Sequence, residues 1–586
     1  MDLWKPIGGD ETGGRWVGHK ASTRFPVYTR GNAGEVYPEV FTPLSFSVAA
    51  EAAERAMRNA IMMSGLVRPE EVDGIPLTTA VGSGVFGGYA YLNLSIQRLA
   101  AARTPGGKAT DADVNYLGTG EEPPVHVPGP DEKNRRATLA GVRYLVRTIR
   151  RKELPQLAAD QRLVANYLAG LPDPATASDA ELRESIGGFI PMFGDLFEQH
   201  LWVSFDAGLT VAVLTGLCER LLDDPQLVVP LLTGLGDVDS AAPSLAIFAM
   251  SRQANDVPEV SAAFDDGVDG LLDRLRALPE AATFLDAFDD FLAEFGSRGP
   301  NEWDTAFDTW ETEPELALTL ISNVRAASDD ANPARQQQRL AAEAAKAEAA
   351  AVARLPRPAR PMFRRVLAAA RLYSRSRERS KTTVVRAIHG ARLQAMELDR
   401  RLVERSGGQR GDLWFLIEPE VDAYLADPAS LGETIAERRE QHRLLAERVP
   451  PFFFSGQQPP LDEWELRTST REPLPIGEKL TGLPGCPGSA TGRARVVTDP
   501  GDAAGVGPGD VLIAPLTDPA WTPLFLPAAA VVVDVGAIMS HAVIVSRELG
   551  IPCVVSATDA SRRIPNGSLV EVDGTAGTVT VIESPT

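Results

Sequence analysis

Cysteine is nearly absent from this chain of 586 residues. Its three cysteines, Cys218, Cys486 and Cys553, are scattered and form no CxxC pair. An odd, dispersed set of this kind fits neither a disulfide framework nor a zinc site. We therefore expect no metal centre in the protein.

Long apolar runs are also missing. No segment approaches an uninterrupted apolar stretch of about 18 residues, so we expect no membrane-spanning helix and no membrane partner. The N-terminus, MDLWKPIGGDETGG, has neither the basic start nor the apolar stretch of a secretory signal. These two absences predict a cytoplasmic protein.

Positive charge is in deficit. The formal net charge is −21, with 58 lysines and arginines against 79 acidic residues. A chain of this charge repels a phosphate backbone, so nucleic acid is not an expected partner. One basic stretch, residues 353–381, runs against the overall balance. Its default explanation is a solvated helix face.

The pattern of residue types changes twice along the chain, which indicates several domains. After an irregular start rich in Gly and Pro, apolar residues recur at three- and four-residue spacing, as in helices. Short β-branched runs follow later, separated by Gly, Pro and Asp around one helix. We therefore predict a multidomain protein: a mainly α-helical body in residues 1–449, a Pro-rich hinge in 450–477 and an α/β domain in 478–586.

One of the six histidines, His541, lies where the apolar strand AAAVVVDV ends and a helix begins. Gly536 permits a sharp turn, and Ser540 is a favoured N-cap residue. His541 then falls in the first helical turn, where unpaired N–H groups and the helix dipole can hold a phosphoryl group. A neutral imidazole is a competent nucleophile at neutral pH, and the small neighbours Ser540 and Ala542 predict an accessible ring. The alternative is a capping or buried histidine with a structural role only.

The residues around His541 resemble the signature of the swivelling phosphohistidine domain of PEP-utilising enzymes. The typical member has threonine where this chain has Met539, but the rifampicin phosphotransferase branch also carries methionine there. That branch has a counterpart to TDPAWTPLF, residues 517–525. The resemblance is closest to rifampicin phosphotransferase and phenylphosphate synthase-like proteins, and it implies that His541 carries phosphorus with support from Gly536, Ser540 and Arg547. The matching positions are Gly536, Ser540, His541, Arg547, Glu548, Gly550 and Pro552.

The resemblance extends to the rest of the chain. NAGEVYPEVFTPL (32–44) is similar to the segment that follows the ATP-grasp domain in full-length relatives, and GYAYLNLS (88–95) and FGSRGPNEWD (295–304) resemble two further blocks. Within the last block Arg298 and Glu302 match, and the weaker block RSRERSK contains Arg377 and Lys381. The resemblance implies that these four residues bind the substrate.

The family resemblance does not identify the general base. Ser297 stands where many relatives have histidine, which puts a substrate-side histidine in doubt. Glu302 and Glu294 are the nearest acidic candidates, but ion pairing to Arg298 explains a glutamate at 302 equally well.

Full-length relatives begin with an ATP-grasp domain that charges the histidine, whereas here the segment that follows that domain starts within the first fifty residues. GGRWVGHK at Gly13 fails the Gly-Lys-Ser/Thr of a P-loop. GSGVFG (82–87) is a weak GxGxxG match and is interpreted as a flexible turn. We therefore expect a separate ATP-grasp protein as partner, with ATP and Mg²⁺ at that partner's nucleotide site.

Together these features predict a phosphotransferase subunit. His541 would carry a phosphoryl group from the ATP-binding partner to a phenol or alcohol held in the helical body, and the C-terminal domain would turn on the hinge. In this hypothesis the basic stretch is a cationic wall, where Arg377 and Lys381 neutralise charge on the transferring group.

Three alternatives stay open. The first is a dehydratase or lyase in which phosphorylation activates an alcohol and elimination of phosphate follows. The second is a non-catalytic regulatory phosphohistidine protein. The third is a paralogue whose histidine is never charged. The sequence does not give the acceptor, the oligomeric state or the ATP phosphate that is transferred.

Overall fold

The fold is taken from a computed structural model. It describes residues 18–117, 124–236, 239, 242–329, 332–469, 471–498, 506–518, 521–536 and 540–585. Met539 and most of the segment resembling a P-loop at Gly13 lie outside the described residues.

A small antiparallel sheet organises the N-terminal part that the sequence analysis treated as irregular. Its strand order is β4-β5-β2-β6, and β1 and β3 form a separate parallel pair. The segment GSGVFG is strand β4, and the turn that follows it uses Gly87 and Gly88 at φ of 54° and 79°, which favours glycine. The strands are β1 (Lys20–Ala21), β2 (Val27–Thr29), β3 (Thr79–Ala80), β4 (Ser83–Phe86), β5 (Tyr89–Asn93) and β6 (Phe453–Ser455). Strand β6 thus comes from the segment 450–477, the expected hinge.

Helices form the rest of the body. They are α1 (Ala33–Val36), α2 (Pro43–Met63), α3 (Pro69–Val72), α4 (Leu94–Arg103), α5 (Thr110–Leu117), α6 (Arg135–Arg150), α7 (Pro155–Gly170), α8 (Asp179–Leu222), α9 (Val228–Leu231), α10 (Ala242–Asp256), α11 (Pro258–Asp265), α12 (Leu271–Arg276), α13 (Ala282–Phe295), α14 (Pro314–Arg325), α15 (Pro333–Arg354), α16 (Arg360–Ser406), α17 (Val421–Ala426) and α18 (Gly432–Ala446).

The two longest helices, α8 and α16, pack along each other at the centre of the body. Helix α8 begins at a capping box, in which Ser178 and Glu181 satisfy each other's backbone N–H groups. Its residues Phe189 and Phe193 pack with Ile388 of α16 in one apolar cluster. Among the described residues, α8 is long and apolar enough to cross a membrane, but the core helix of a soluble protein passes the same test.

The C-terminal domain is built on one mixed sheet of order β7-β14-β13-β9-β10-β11-β12-β8, in which β9 to β12 run parallel. Strands β10 and β11 are buried along their whole length, as their continuous apolar sequences predict. The elements are β7 (Lys479–Thr481), β8 (Leu483–Cys486), β9 (Ser489–Val496), β10 (Val511–Ala514), α19 (Thr522–Phe525), β11 (Ala530–Val533), α20 (His541–Leu549), β12 (Cys553–Val555), α21 (Ala560–Arg563), β13 (Leu569–Asp573) and β14 (Thr578–Glu583). The predicted fold class, a helical body followed by an α/β domain, is confirmed.

The two faces of this sheet are covered differently. Val511 and Val532 point into a core that belongs to the domain itself. Leu512 and Val531 point the other way, into a cluster that also contains Phe288 of the helical body. On this side the C-terminal domain is docked on the body through its helices: α19 contacts α10 and α14, and α20 contacts α15.

A buried arginine of α16 holds the loop between α13 and α14. The Arg392 side chain is fully buried, and its Nη2 donates to the carbonyl oxygens of Glu302 and Asp304 at 2.8 and 2.9 Å. The Asp304 carboxylate in turn accepts from Ser45 Oγ at 2.5 Å. The loop that carries Arg298 and Glu302 is thereby fixed to two helices of the body.

We expect Arg392→Met to lower the free energy of unfolding by roughly 2–4 kcal/mol, because two buried carbonyls lose a charged donor. Urea denaturation measures this difference. The matched control is Arg400→Met on the same helix. Its side chain is 55% exposed, and its partners among the described residues are Glu397 and Glu404, so the expected change is under about 1 kcal/mol. Equal losses in the two variants would contradict an anchoring role for Arg392.

Candidate active site

Helix α20 presents His541 at its first position. Ser540 has the extended backbone of an N-cap, at φ −68° and ψ 160°, and its carbonyl accepts from Ile544 N at 3.0 Å. The expected side-chain cap is not formed, and among the described residues the buried Ser540 hydroxyl has no hydrogen-bond partner. A Cβ at Gly536 would lie 3.2 Å from that hydroxyl and 3.1 Å from Val555 Cβ, so glycine is needed here for space.

Both ring nitrogens of His541 lie beside threonine hydroxyls. Nδ1 is 3.3 Å from Thr517 Oγ1, and Nε2 is 3.1 Å from Thr522 Oγ1. Phe525 meets the ring edge-on, with 6.1 Å between centroids. All three neighbours come from TDPAWTPLF. The sequence analysis used that segment as a family match without identifying it as part of the site, although its threonines were the available signal.

The His541 side chain is only 8% exposed, which corrects the expectation of an accessible ring. Thr517, Thr522 and Phe525 of the same domain lie against the ring, and the docked body adds further cover. The backbone N–H of His541 donates to Glu35 Oε2 of α1 at 3.3 Å. A second bridge nearby joins Asn301 N–H to Asp518 Oδ2 at 3.3 Å. The small neighbours Ser540 and Ala542 do not decide the exposure, because the cover comes from distant segments.

Three cations of the body act on the docked imidazole. Burial holds the pKa of His541 well below its usual range, and the positive charges of Lys381, Arg298 and Arg377 lower it further. The ring is therefore neutral at physiological pH. The structure thus brings together the histidine and all three cationic residues that the resemblance implied for the substrate side.

Glu302 balances part of this charge. Its carboxylate is buried, and Oε1 accepts from Arg298 Nη1 at 2.9 Å and lies 3.3 Å from Lys381 Nζ. Arg298 Nη2 also donates to Thr382 Oγ1 at 2.7 Å. Arg377 is paired as well, since its Nη1 lies 3.4 Å from Glu378 Oε1, so two carboxylates pair with the three cations. Arginine and lysine side chains of this kind stabilise a phosphoryl group. Glu294, the other acidic candidate, is exposed on α13.

A second histidine, which the sequence analysis missed, faces the same cations. His200 of α8 is buried, and its ring lies 5.5 Å from that of Trp303. Burial lowers the pKa of His200 to about 3, and the charges of Arg377 and Lys381 contribute. Nothing local distinguishes His200 in the apolar helix sequence FEQHLWVSF. Its place in the site depends on how α8 packs on α16.

Arg547 lies apart from the imidazole. It follows His541 by six residues, which is about 9 Å along a helix axis. Its Nε donates to the carbonyl of Gly485 in β8 at 3.0 Å, so it ties α20 to the sheet edge. The cations that act on the pKa of His541 come from the body instead. Arg547 therefore has a structural contact with β8 and does not lie beside the His541 ring in the docked state.

An acidic group lies at the interface on the far turn of α20. The buried Glu548 Oε1 accepts from Leu235 N at 3.4 Å, across the domain boundary. Burial, together with the nearby charge of Glu378, raises the pKa of Glu548 to about 7. The interface therefore contains a carboxyl group that is easier to bury when it is protonated.

An apolar cavity of about 30 Å³ lies in the body next to the loop that carries Glu302. A space of this size holds one or two water molecules and no larger ligand. Its lining includes Phe41, Leu44, Val48, Phe189, Phe193 and Trp303. The cavity therefore offers an apolar wall beside the charged pocket.

Two family models match the chain. Residues 199–378 match the rifampicin phosphotransferase fourth domain, and residues 506–577 match the mobile domain of PEP-utilising enzymes. The first match contains His200, Arg298, Glu302 and Arg377, and the second contains His541. The two matched segments therefore meet at the site.

Several curated proteins are similar to parts of the chain. An uncharacterised protein of Mycobacterium tuberculosis is 36% identical over 53% of this chain and 33% of its own length. The prodigiosin synthesizing transferase PigC of Serratia marcescens is 26% identical over 94% of this chain and 63% of its own length. The rifampicin phosphotransferase of Streptomyces sviceus is 28% identical over 71% of this chain and 50% of its own length.

The chain thus spans from a third to just under two thirds of these relatives. The resemblance to the PEP-utilising enzymes, and within them to rifampicin phosphotransferase-like proteins, is confirmed by both matched segments.

Proposed function

We propose that this protein is a phosphotransferase component in which His541 carries a phosphoryl group to a hydroxyl acceptor in the helical body. The single observation that carries this proposal is the neutral imidazole of one domain docked against Lys381, Arg298 and Arg377 of another. A structural histidine needs no such surroundings, because three cations beside a neutral ring add repulsion to any proton and bring no matching attraction. The arrangement makes sense once the ring carries a phosphoryl group of nearly two negative charges.

Charge also explains how docking would be coupled to phosphorylation. The phosphorylated ring is attracted to the cationic pocket, whereas the neutral ring is not. The Ser540 hydroxyl, which has no hydrogen-bond partner among the described residues, is available to donate to a phosphoryl oxygen. In the transfer step the same cations neutralise charge on the transferring group, as in other phosphoryl-transfer sites.

Charging of His541 is proposed to require the domain to leave the body, because the buried ring lies under the influence of the body's cations and its backbone N–H donates to Glu35 of the body. Strand β6 belongs to the body, and Leu474 already packs in the core of the C-terminal domain. The connection that turns is therefore proposed to lie between residues 456 and 473. Within it, Glu465 pairs with Arg562 at 2.8 Å, a contact that turning would break.

The phosphoryl donor is proposed to be ATP, with Mg²⁺, bound by a separate ATP-grasp protein. This part of the proposal rests on the resemblance to PEP-utilising enzymes. The acceptor is proposed to be a phenol or an alcohol with an apolar body, because the charged pocket adjoins the apolar wall around Trp303. Its entry requires local opening, since the cavity is too small in the docked state.

The first prediction concerns the phosphorylated residue. Incubation with phosphoramidate, a chemical donor for histidine, should give an acid-labile phosphate at position 541, located by mass spectrometry. It should be absent from His541→Ala. The matched control is His126→Ala, since His126 lies elsewhere and pairs with Glu132 at 2.9 Å. ATP labelled at the β or γ position should charge His541 only when a purified ATP-grasp protein encoded beside the gene is added.

The outcomes of this experiment separate the parts of the proposal. An absence of label from both donors would contradict the phosphocarrier role. Label from ATP without the ATP-grasp protein would contradict the need for a partner. Release of phosphate with an alkene product, instead of a phosphate ester, would assign the site to the elimination pathway.

The second prediction concerns the pH dependence of docking. Glu548 has a pKa of about 7 in the docked state and an ordinary value of 4.5 when exposed, so the docked state binds more protons between these values. Its stability should therefore fall as pH rises from about 4.5 through 7. The loss is about 3 kcal/mol when the shift is converted to free energy.

Urea denaturation of wild type and Glu548→Gln at pH 5 and pH 8 measures this loss. The variant should keep its stability across the range, so that the difference from wild type grows with pH. Glu571→Gln, on the exposed side of β13, should follow wild type. Parallel curves for wild type and Glu548→Gln would show that Glu548 does not titrate in the interface.

A further inference from the structure

The hydrogen bonds of Ser380 indicate which ring nitrogen of His200 carries the proton. The Ser380 hydroxyl lies 3.0 Å from His200 Nδ1 and donates its proton to the carbonyl of Arg377 at 2.9 Å. We assign the Ser380 proton to the Arg377 carbonyl, which leaves Ser380 Oγ to accept from His200 Nδ1–H. With this assignment the proton of the neutral His200 ring is on Nδ1, and Nε2 has a free lone pair.

Among the described residues, Nε2 of His200 has no hydrogen-bond partner. Its ring is fixed from two sides, by the Ser380 contact and by the rings of Phe197 and Trp303, with centroids 6.3 and 5.5 Å away. The charges of Arg377 and Lys381 act on His200 and on His541 alike. The same two cations therefore act on two neutral imidazoles that come from different domains.

Resting on the proposed function, we propose that His200 is the general base of the transfer, and that the acceptor hydroxyl binds between His200 Nε2 and the phosphoryl group on His541. This assignment fills the role that Ser297 leaves vacant in the loop. A histidine on α8 reaches the same pocket from another side. Glu302 is engaged otherwise, because its carboxylate holds Arg298 and Lys381.

In the transfer step the acceptor oxygen attacks phosphorus, and a new O–P bond forms as the N–P bond to His541 breaks. The electron pair of that bond returns to the ring nitrogen, and the other ring nitrogen keeps its proton, so His541 leaves as a neutral imidazole. The hydroxyl proton moves to His200 Nε2 and then to solvent.

The charge of the phosphoryl group makes His200 a better base when it is needed. In the pocket without phosphate, Arg377 and Lys381 oppose protonation of the ring. A phosphoryl group that arrives on His541 offsets these two charges, while Glu302 on the loop already offsets part of Lys381. An imidazole with an ordinary pKa near 6.5 then matches proton transfer at neutral pH. His200 would thus accept a proton only when phosphorus is present.

The test separates charging from discharge. Wild type, His200→Ala and His200→Gln are charged with phosphoramidate, freed of donor, and followed by the loss of phosphohistidine at residue 541. Water is the acceptor in every run, and phenol is added as a second acceptor. The variants should charge as wild type does and discharge at least about 100-fold more slowly. Free imidazole should restore the rate of His200→Ala, and Glu571→Gln should behave as wild type.

Each outcome is decisive. If wild type does not charge at His541, the proposed function is wrong, whatever His200 does. If it charges and the His200 variants discharge at the wild-type rate, the function stands and the inference is overturned. A slow discharge that imidazole does not restore, in variants whose urea midpoint equals that of wild type, would also overturn it, because His200 would then only position its neighbours.

Discussion

The structure depends on one unfavourable juxtaposition, a neutral imidazole buried against three cations. Burial and the charges of Lys381, Arg298 and Arg377 all act against a proton on His541. Glu302 pairs with Arg298 and Lys381, and Glu378 pairs with Arg377, yet the three cations still act on the neutral ring. Stability alone would favour apolar side chains at such a position, because buried charges contribute little to it. We therefore interpret the arrangement as one that serves a bound group.

The surrounding fold is organised to hold that juxtaposition in place. Arg392 fixes the loop of Arg298 and Glu302, and the α8–α16 pair supplies His200, Arg377 and Lys381. Helices α19 and α20 connect one face of the C-terminal sheet to the body. The interface also contains features that limit its strength. Glu548 is buried with a raised pKa, and the bridges of Glu35 and Asp518 are long, at 3.3 Å each. An interface with rigid walls and weak polar contacts suits a domain that docks and leaves.

Much of the C-terminal domain follows from local sequence. The apolar run AAAVVVDV is strand β11, and the helix begins at His541, one residue after its N-cap, because strand and capping signals are short-range. The residues around the ring were harder to predict. Family resemblance indicated Arg298, Glu302, Arg377 and Lys381, and the matching segment 517–525 contained Thr522 without revealing its role. His200 enters the site through tertiary packing that no local pattern encodes.

The structure of the N-terminal part was also hard to predict from local sequence. The sequence analysis described it as irregular, yet β2 pairs with β6, which comes from residues Phe453–Ser455 far along the chain. Short strands with distant partners leave no periodic signal. The expected exposure of His541 failed for the same reason: its sequence neighbours are small, but residues 517–525 of the same domain and the docked body cover the ring.

The most direct test of the central claim is to lock the docked state. Asn301 and Asp518 meet across the interface, and replacing both with cysteine should allow a disulfide, while the three native cysteines are buried. The measurement is the rate at which phosphoramidate labels His541 before and after reduction. If the domain must swing out to be charged, the oxidised protein should resist labelling and regain the wild-type rate once reduced. Equal labelling of the oxidised and reduced protein would contradict the account.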